Sequence, residues 1–236
     1  MLNRTIPNRT GGFTLTELLV AMTLGAVLLT GLLAFFAGLL DMQSRLLRQQ
    51  RLHQALAGLM TLMVHDIRRA GFRAHAGRTG DTPSGDTLAF PPAADNPFLA
   101  ALHHDGPCLL YAYDLDENGR LARDEQRGFR LQDGILMTRR SGRSRERDCA
   151  RGRWWRLSDP AALRVTRLEF RIHRLAWPQS RERETEADRW HLLGVEIVLA
   201  GSLRAFPAET VTLRSTVYPP NLLLPPAASG GTGAGR

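Results

Sequence analysis

Leu18 to Leu40 is a run of 23 residues without a charged side chain, and it starts directly after a lone carboxylate, Glu17. At about 1.5 Å per residue in an α-helix, such a run covers the roughly 30 Å hydrocarbon core of a bilayer. The stretch is therefore long enough to be a transmembrane helix. Before it stand Gly11, Gly12, Phe13, Thr14, Leu15 and Thr16, and a short leader that contains Arg4 and Arg9 and no acid. Basic residues beside an apolar segment hold that flank in the cytoplasm. A carboxylate at the membrane centre costs about 2.5–3.5 kcal/mol on insertion scales, which makes Glu17 a candidate functional residue. A secretory signal peptide has a shorter apolar region, about 7–15 residues, ending at a small-x-small site. A plain signal anchor accounts for the length but not for a glycine-phenylalanine pair followed by glutamate at this spacing.

The arrangement resembles the type IV prepilin signal. That resemblance implies cleavage by a prepilin peptidase between Gly12 and Phe13, methylation of the new amino terminus at Phe13, and Glu17 as the fifth mature residue. A positive amine at Phe13 of one subunit can then neutralise Glu17 of a staggered neighbour, so the pair can set the register of assembly.

The helix is expected to continue past the membrane. Leu56, Leu59, Met63 and Ile67 recur at helical spacing, with Arg48, Gln50, Arg51, His53, Gln54 and His65 forming a wet face. Gly71 is placed to terminate it. Within the apolar half, Gly25, Gly31, Ala34 and Gly38 are small enough to let neighbouring helices approach closely. Residues 74–86 read as a loop. Downstream, short β-branched and aromatic runs between turn residues read as strands: Thr87–Phe90, Cys108–Tyr113, Gly128–Leu131, Ile135–Thr138, Trp154–Leu157, Val165–His173, Leu192–Leu199 and Glu209–Val217. Gln132-Asp133-Gly134 reads as a tight hairpin turn, and the chain from Pro219 onward as a flexible proline- and glycine-rich tail.

The stretch Met63-Val64-His65-Asp66-Ile67-Arg68-Arg69-Ala70-Gly71-Phe72 is similar to the end of the first helix in PilW-like minor pilins. A cysteine-led strand, the Asp114 loop, Gly128-Phe129-Arg130-Leu131, a second cysteine, a tryptophan and Ser158-Asp159-Pro160 follow in the order of prepilin peptidase-dependent protein B. The resemblance implies an α+β, type IV pilin-like fold: a long N-terminal helix, its first half transmembrane, packed on a C-terminal antiparallel β-sheet domain. The expected organisation is a cleaved leader (1–12), the helix (13–72, transmembrane about 18–40), a periplasmic β-rich domain (73–218) and a tail (219–236). It implies a minor pilin that primes pilus assembly at the filament tip. Its partners would be prepilin peptidase, other minor pilins, the major pilin and the inner-membrane assembly platform. The location would be the inner membrane, then the pilus. The minor pseudopilin J of type II secretion is the nearest alternative, and a tip module binding DNA or a surface ligand is a second.

Asp114-Leu115-Asp116-Glu117-Asn118-Gly119-Arg120-Leu121-Ala122-Arg123-Asp124-Glu125 fits the calcium-loop pattern D-x-[DN]-x-[DN]-G-x5-E without a gap. Asp114, Asp116 and Asn118 would offer side-chain oxygens, Arg120 a carbonyl, and Glu125 two oxygens, with Gly119 at the sharp turn. The flanks read as strands rather than helices, so the loop would be a bare calcium site on a β scaffold. A solvated asparagine-glycine turn uses the same residues. No cofactor is required; a structural calcium ion is the one ligand the loop suggests. Cys108 and Cys149, two thiols in one small exported domain, are expected to pair. Closing that loop of about 41 residues is worth roughly 4 kcal/mol in the chain-entropy model.

All 31 basic residues are arginine, and the net charge of +8 falls to +6 without Arg4 and Arg9. Arginines are scattered and often interleaved with acids, as in Arg181-Glu182-Arg183-Glu184, which reads as a mixed solvated surface rather than a nucleic-acid site. The arginine-rich stretch Arg139–Arg156 with Trp154 and Trp155 is expected to be an exposed loop and a strand whose tryptophans enter the core or a subunit contact. The chain has no G-x-S-x-G, H-E-x-x-H, phosphate loop or Cys-x-x-Cys, and His103-His104 reads as a solvated pair. Enzyme activity is not expected.

Overall fold

The computed structural model describes residues 12, 14–74, 96–99, 101–142, 148–177 and 190–224. The expected strand Thr87–Phe90, the leader through Gly11, Phe13 and the last twelve residues lie outside them. The chain divides into two compact units, Met1–Gln49 and Gln50–Arg236.

One helix, α1 (Leu15–Ile67), contains the whole apolar run. In the first unit, every residue from Leu18 to Leu40 is exposed, as a lipid-facing surface is in a molecule without its bilayer. In the second unit the character of α1 changes. Leu52, Leu56, Leu59, Met60, Met63 and Ile67 form a buried stripe, the spacing that puts side chains on one helical face. Each fully buried side chain of this kind contributes about 1.5–3 kcal/mol. The helix ends in a turn at Gly71, whose φ of 77° is the left-handed conformation that glycine adopts without strain. A Cβ there would also meet a Leu222 side-chain carbon at 2.8 Å, so the site requires glycine twice over.

Nine strands follow among the described residues. Strands β1 (His103–Asp105), β2 (Cys108–Ala112), β3 (Gln126–Gln132), β4 (Ile135–Ser141) and β5 (Arg153–Arg156) form an antiparallel meander in sequence order. Strands β6 (Leu163–Trp177), β7 (Trp190–Leu203) and β8 (Phe206–Val217) form a second antiparallel sheet, with the short β9 (Leu223–Leu224) also paired to β7. The hairpin turn at residues 132–134 is present, with Gln132 opposite Ile135.

Leu109, Tyr111, Phe129 and Leu136 of the first sheet and Phe170, Val195, Ile197 and Leu199 of the second join the helical stripe in one core. The long β6–β7 ladder sets Phe170 opposite Ile197 and Ile172 opposite Val195, so one face of this sheet is apolar throughout its middle.

Two features differ from expectation. Within the stretch expected to be a flexible tail (219–236), Leu222 is fully buried and the next two leucines pair with β7. The tryptophans of β5 are not core residues. Trp154 is half-buried and Trp155 is 51% exposed, since β5 is the outer strand of its sheet.

Candidate functional site

The helix start is held by its own side chains. Thr14 Oγ1 accepts from the Glu17 backbone N–H at 3.3 Å, and Glu17 Oε2 accepts from the Thr14 N–H at 3.5 Å and its hydroxyl at 3.3 Å. This is the reciprocal threonine-x-x-glutamate capping box, in a loose form. Glu17 thus satisfies two free groups at the positive end of α1. Gly12 is exposed. Among the described residues, Glu17 has no cationic partner within the chain.

The acidic loop lies between β2 and β3 of the first sheet. Ligand oxygens of Asp114, Asp116 and Glu125 lie within 4.8 Å of one another. Asp114 and Glu125 are each only 1% exposed, yet neither pairs with a basic side chain among the described residues. Backbone amides surround them instead. Asp114 accepts from Asn118 N–H at 3.1 Å, Gly119 N–H at 2.9 Å and Ala74 N–H at 3.0 Å. Glu125 accepts from Leu115 N–H at 2.7 Å and Ala122 N–H at 2.6 Å. These bonds fold the loop so that carboxylates at its first and last positions converge, which fixes the geometry before any ligand arrives. Gly119, with φ of 74°, makes the sharp turn.

Of the five residues expected to ligate, three come together. The Asn118 amide is engaged locally: its Oδ1 accepts from Arg120 N–H at 2.7 Å and its Nδ2 donates to Asp116 at 2.6 Å. The donor set is entirely oxygen and anionic, which suits a hard divalent cation rather than zinc or copper. Two buried carboxylates without a counter-charge also carry a desolvation cost that a cation would offset. The acidic triad could therefore hold a metal ion.

This loop is tied to the end of α1. Gly71 N–H donates to Ala112 O at 2.8 Å, and Asp114 N–H donates to Phe72 O at 2.9 Å. With the Ala74 bond to Asp114, the chain leaving the helix is stitched to the first residue of the acidic loop.

Cys108 of β2 and Cys149, 41 positions apart in sequence, are joined, with sulfurs 2.05 Å apart. Arg130 reinforces the junction by donating from Nη1 to Cys149 O at 2.7 Å while its Cζ sits 4.4 Å from the Trp154 ring centroid. Burial lowers the Arg130 pKa from its ordinary value. The acidic loop, β3 and β4 all lie inside the ring this bridge closes.

Sequence reasoning gave Asp66 no role beyond its place in a motif. In the structure it accepts from the Tyr111 phenol at 2.6 Å and the Tyr113 phenol at 2.8 Å. Burial first, and then the Asp66 charge, raise both phenols; Tyr113 is pushed up to about 12, and Tyr111 is raised well above the ordinary range. The sequence signal was present as an acid on the helix and a Tyr-x-Tyr on a strand, but nothing in one dimension paired them.

Residues 45–219 match the family model described as prepilin peptidase-dependent protein B, and residues 7–33 match the prokaryotic N-terminal methylation motif. The latter match includes Gly12, Phe13 and Glu17. Comparison with curated proteins and with solved structures found no match.

Proposed function

The chain belongs to the prepilin peptidase-dependent protein B family, and from that premise we propose that it is a minor type IV pilin that helps prime filament assembly at the tip. Prepilin peptidase processing and a membrane-anchoring apolar helix come with the family and the motif. The finer reading is that the peptidase cuts between Gly12 and Phe13, that Phe13 is methylated, and that Glu17 pairs with the amino terminus of an adjacent subunit. Its adjacent subunits would be other minor pilins and the major pilin, and the head domain would be periplasmic. The observation that carries the proposal is a methylation motif at the start of a helix whose far end is built into a family-matched head domain.

The test is co-expression with and without prepilin peptidase, reading the mass of the amino-terminal peptide. A new terminus at Phe13, one methyl heavier, supports the proposal. An intact Met1 terminus in peptidase-containing cells removes it.

We also propose that the acidic loop binds a structural calcium ion through Asp114, Asp116 and Glu125, with Asn118 and the Arg120 carbonyl available on rearrangement. The burial of two carboxylates without a basic partner supports this reading. Outside the cytoplasm an affinity on the order of 0.1–1 mM would suffice. The ion would supply charge and rigidity, ordering the surface beside the helix exit.

A further inference from the structure

The arginines of this chain are used in two different ways. On the second sheet one group is neutralised: Arg167 and Arg171 pair with Glu169 at 2.7 and 3.6 Å, and Arg171 and Arg214 reach Glu196 at 3.9 and 4.0 Å. On the first sheet a second group is not. Strand alternation puts Arg127 and Phe129 of β3, Thr138 of β4, and Arg153 and Trp155 of β5 on the face that carries Leu109 and Tyr111. The ladders agree, running Leu109 to Phe129, Phe129 to Thr138 and Thr138 to Trp155. The bulge between Arg139 and Ser141 leaves Arg140 with its Cζ 5.0 Å from the Trp155 ring centroid. Arg69, just past the helix, lies 4.2 Å over Tyr113, and Arg127 lies 5.6 Å from the same ring.

Among the described residues, none of Arg69, Arg127, Arg140 and Arg153 forms an ion pair. Asp66, the acid that touches the two tyrosines, has both oxygens engaged by their phenols. The outer part of this face thus carries guanidiniums beside aromatic rings; Asp66 sets one negative charge near Arg69 and Arg127, and among the described residues no carboxylate pairs with Arg140 or Arg153. Stacked on a ring, a guanidinium keeps its in-plane N–H groups free for an anion, and its fork matches phosphate.

We propose that this face, at the β4–β5 edge of the first sheet, binds a nucleic-acid strand. An acidic protein segment would answer the charges but leave the half-exposed Trp155 indole without a counterpart. A nucleic acid supplies both phosphates for the arginines and flat bases for the ring. From sequence alone, residues 139–156 read as an exposed loop and a strand whose tryptophans enter the core or a subunit contact, because pairing on the sheet faces could not be seen. The inference does not depend on where the protein assembles.

The test uses the full chain in detergent micelles with a fluorescein-labelled oligothymidylate of about 16 nucleotides, followed by anisotropy from about 50 to about 200 mM salt. Binding is expected to weaken linearly in log–log form, with a slope near −3 if four phosphates are contacted, at about −0.7 per phosphate. Arg140→Glu with Arg153→Glu should weaken binding about tenfold or more, and Trp155→Ala about fivefold or more at unchanged charge. Arg174→Glu with Arg204→Glu, exposed and elsewhere, should stay within about twofold once salt is matched. Arg140→Gln with Arg153→Gln replaces the reversal if its melting temperature falls. Three results would overturn the proposal: no binding at the lowest salt, equal losses in the control pair, or displacement by oligoglutamate as effective as by unlabelled DNA. The last would mark the face as a contact for an acidic protein instead.

Discussion

The carboxylate of Asp66, on the last turn of the long helix, accepts the Tyr111 phenol of β2 at 2.6 Å, and its second oxygen takes Tyr113 two residues further on. One acid therefore fixes both the rotation of the helix end and its height over the first sheet. Asp66→Ala would leave two phenols without their acceptor, each costing about 1–3 kcal/mol. The variant should unfold at clearly lower urea concentration, whereas Tyr113→Phe should lose less than Asp66→Ala. An unchanged urea midpoint for Asp66→Ala would remove the clamp from the stability account.

The same clamp predicts an alkaline limit. Tyr113 is raised from about 10 to about 12 in the folded protein, and Tyr111 is raised as well. Folding therefore favours the protonated phenols. Their contribution is fully present below the unfolded value of about 10 and is lost as pH rises through the folded one, because the unfolded chain releases its protons first. Stability should be insensitive to these groups below about pH 10 and fall between about 10 and 12. Tyrosinate absorbance in the folded protein should lag behind that of the urea-unfolded chain over the same window; coincident titrations would contradict the shifts.

Calcium should stabilise the head domain. With an affinity of 0.1–1 mM, about 10 mM calcium contributes on the order of 1.4–2.7 kcal/mol. The melting temperature should rise with calcium, fall with chelator, and stop responding in Glu125→Gln. A wild-type transition that ignores both additions would return the loop to a simple turn.

Reduction of the bridge between Cys108 and Cys149 should cost roughly 4 kcal/mol, from the loop it closes. Neither cysteine should react with an alkylating reagent in the exported protein until reductant is added. The double variant Cys108→Ser, Cys149→Ser should unfold at the lower midpoint of the reduced wild type; oxidised and reduced proteins melting together would show that the bridge is idle.

Glu17→Ala should leave amino-terminal processing intact while reducing incorporation into filaments, measured by immunoblot of sheared pili. Normal incorporation would separate this carboxylate from assembly. Thr14→Val tests the capping box on its own, since it removes the hydroxyl partner without touching the charge.

Much of this molecule was legible in one dimension. The uncharged run, the helical stripe ending at Gly71 and the alternating runs of β6, β7 and β8 each bear a period that physics ties to one structure. What escaped was set by partners far away in sequence. Strand β1 is three residues of histidine and aspartate, held by its ladder to β2 rather than by any propensity of its own. Strand β9 exists because β7 extends past the end of β8 and offers two residues to pair. At the candidate sites, the loop pattern identified the acids that converge, but the turning of Asn118 toward Arg120 depends on local amide geometry that spacing does not encode. The tryptophans of β5 read as entering the core or a subunit contact because large aromatics are usually covered; within the chain, their position on an outermost strand leaves Trp155 exposed.

The covalent link between β2 and the segment beyond β4 bears on when this protein can become itself. Its ring encloses the acidic turn and two of the five strands of a sheet, so thiol oxidation and the proposed ion capture would act on one and the same region. A copy retained among cytosolic reductants would have the helix and the longer sheet at its disposal, yet lack the fastening around the smaller one. With the head in the proposed periplasmic location, its completion would be coupled to departure from the compartment where it is made.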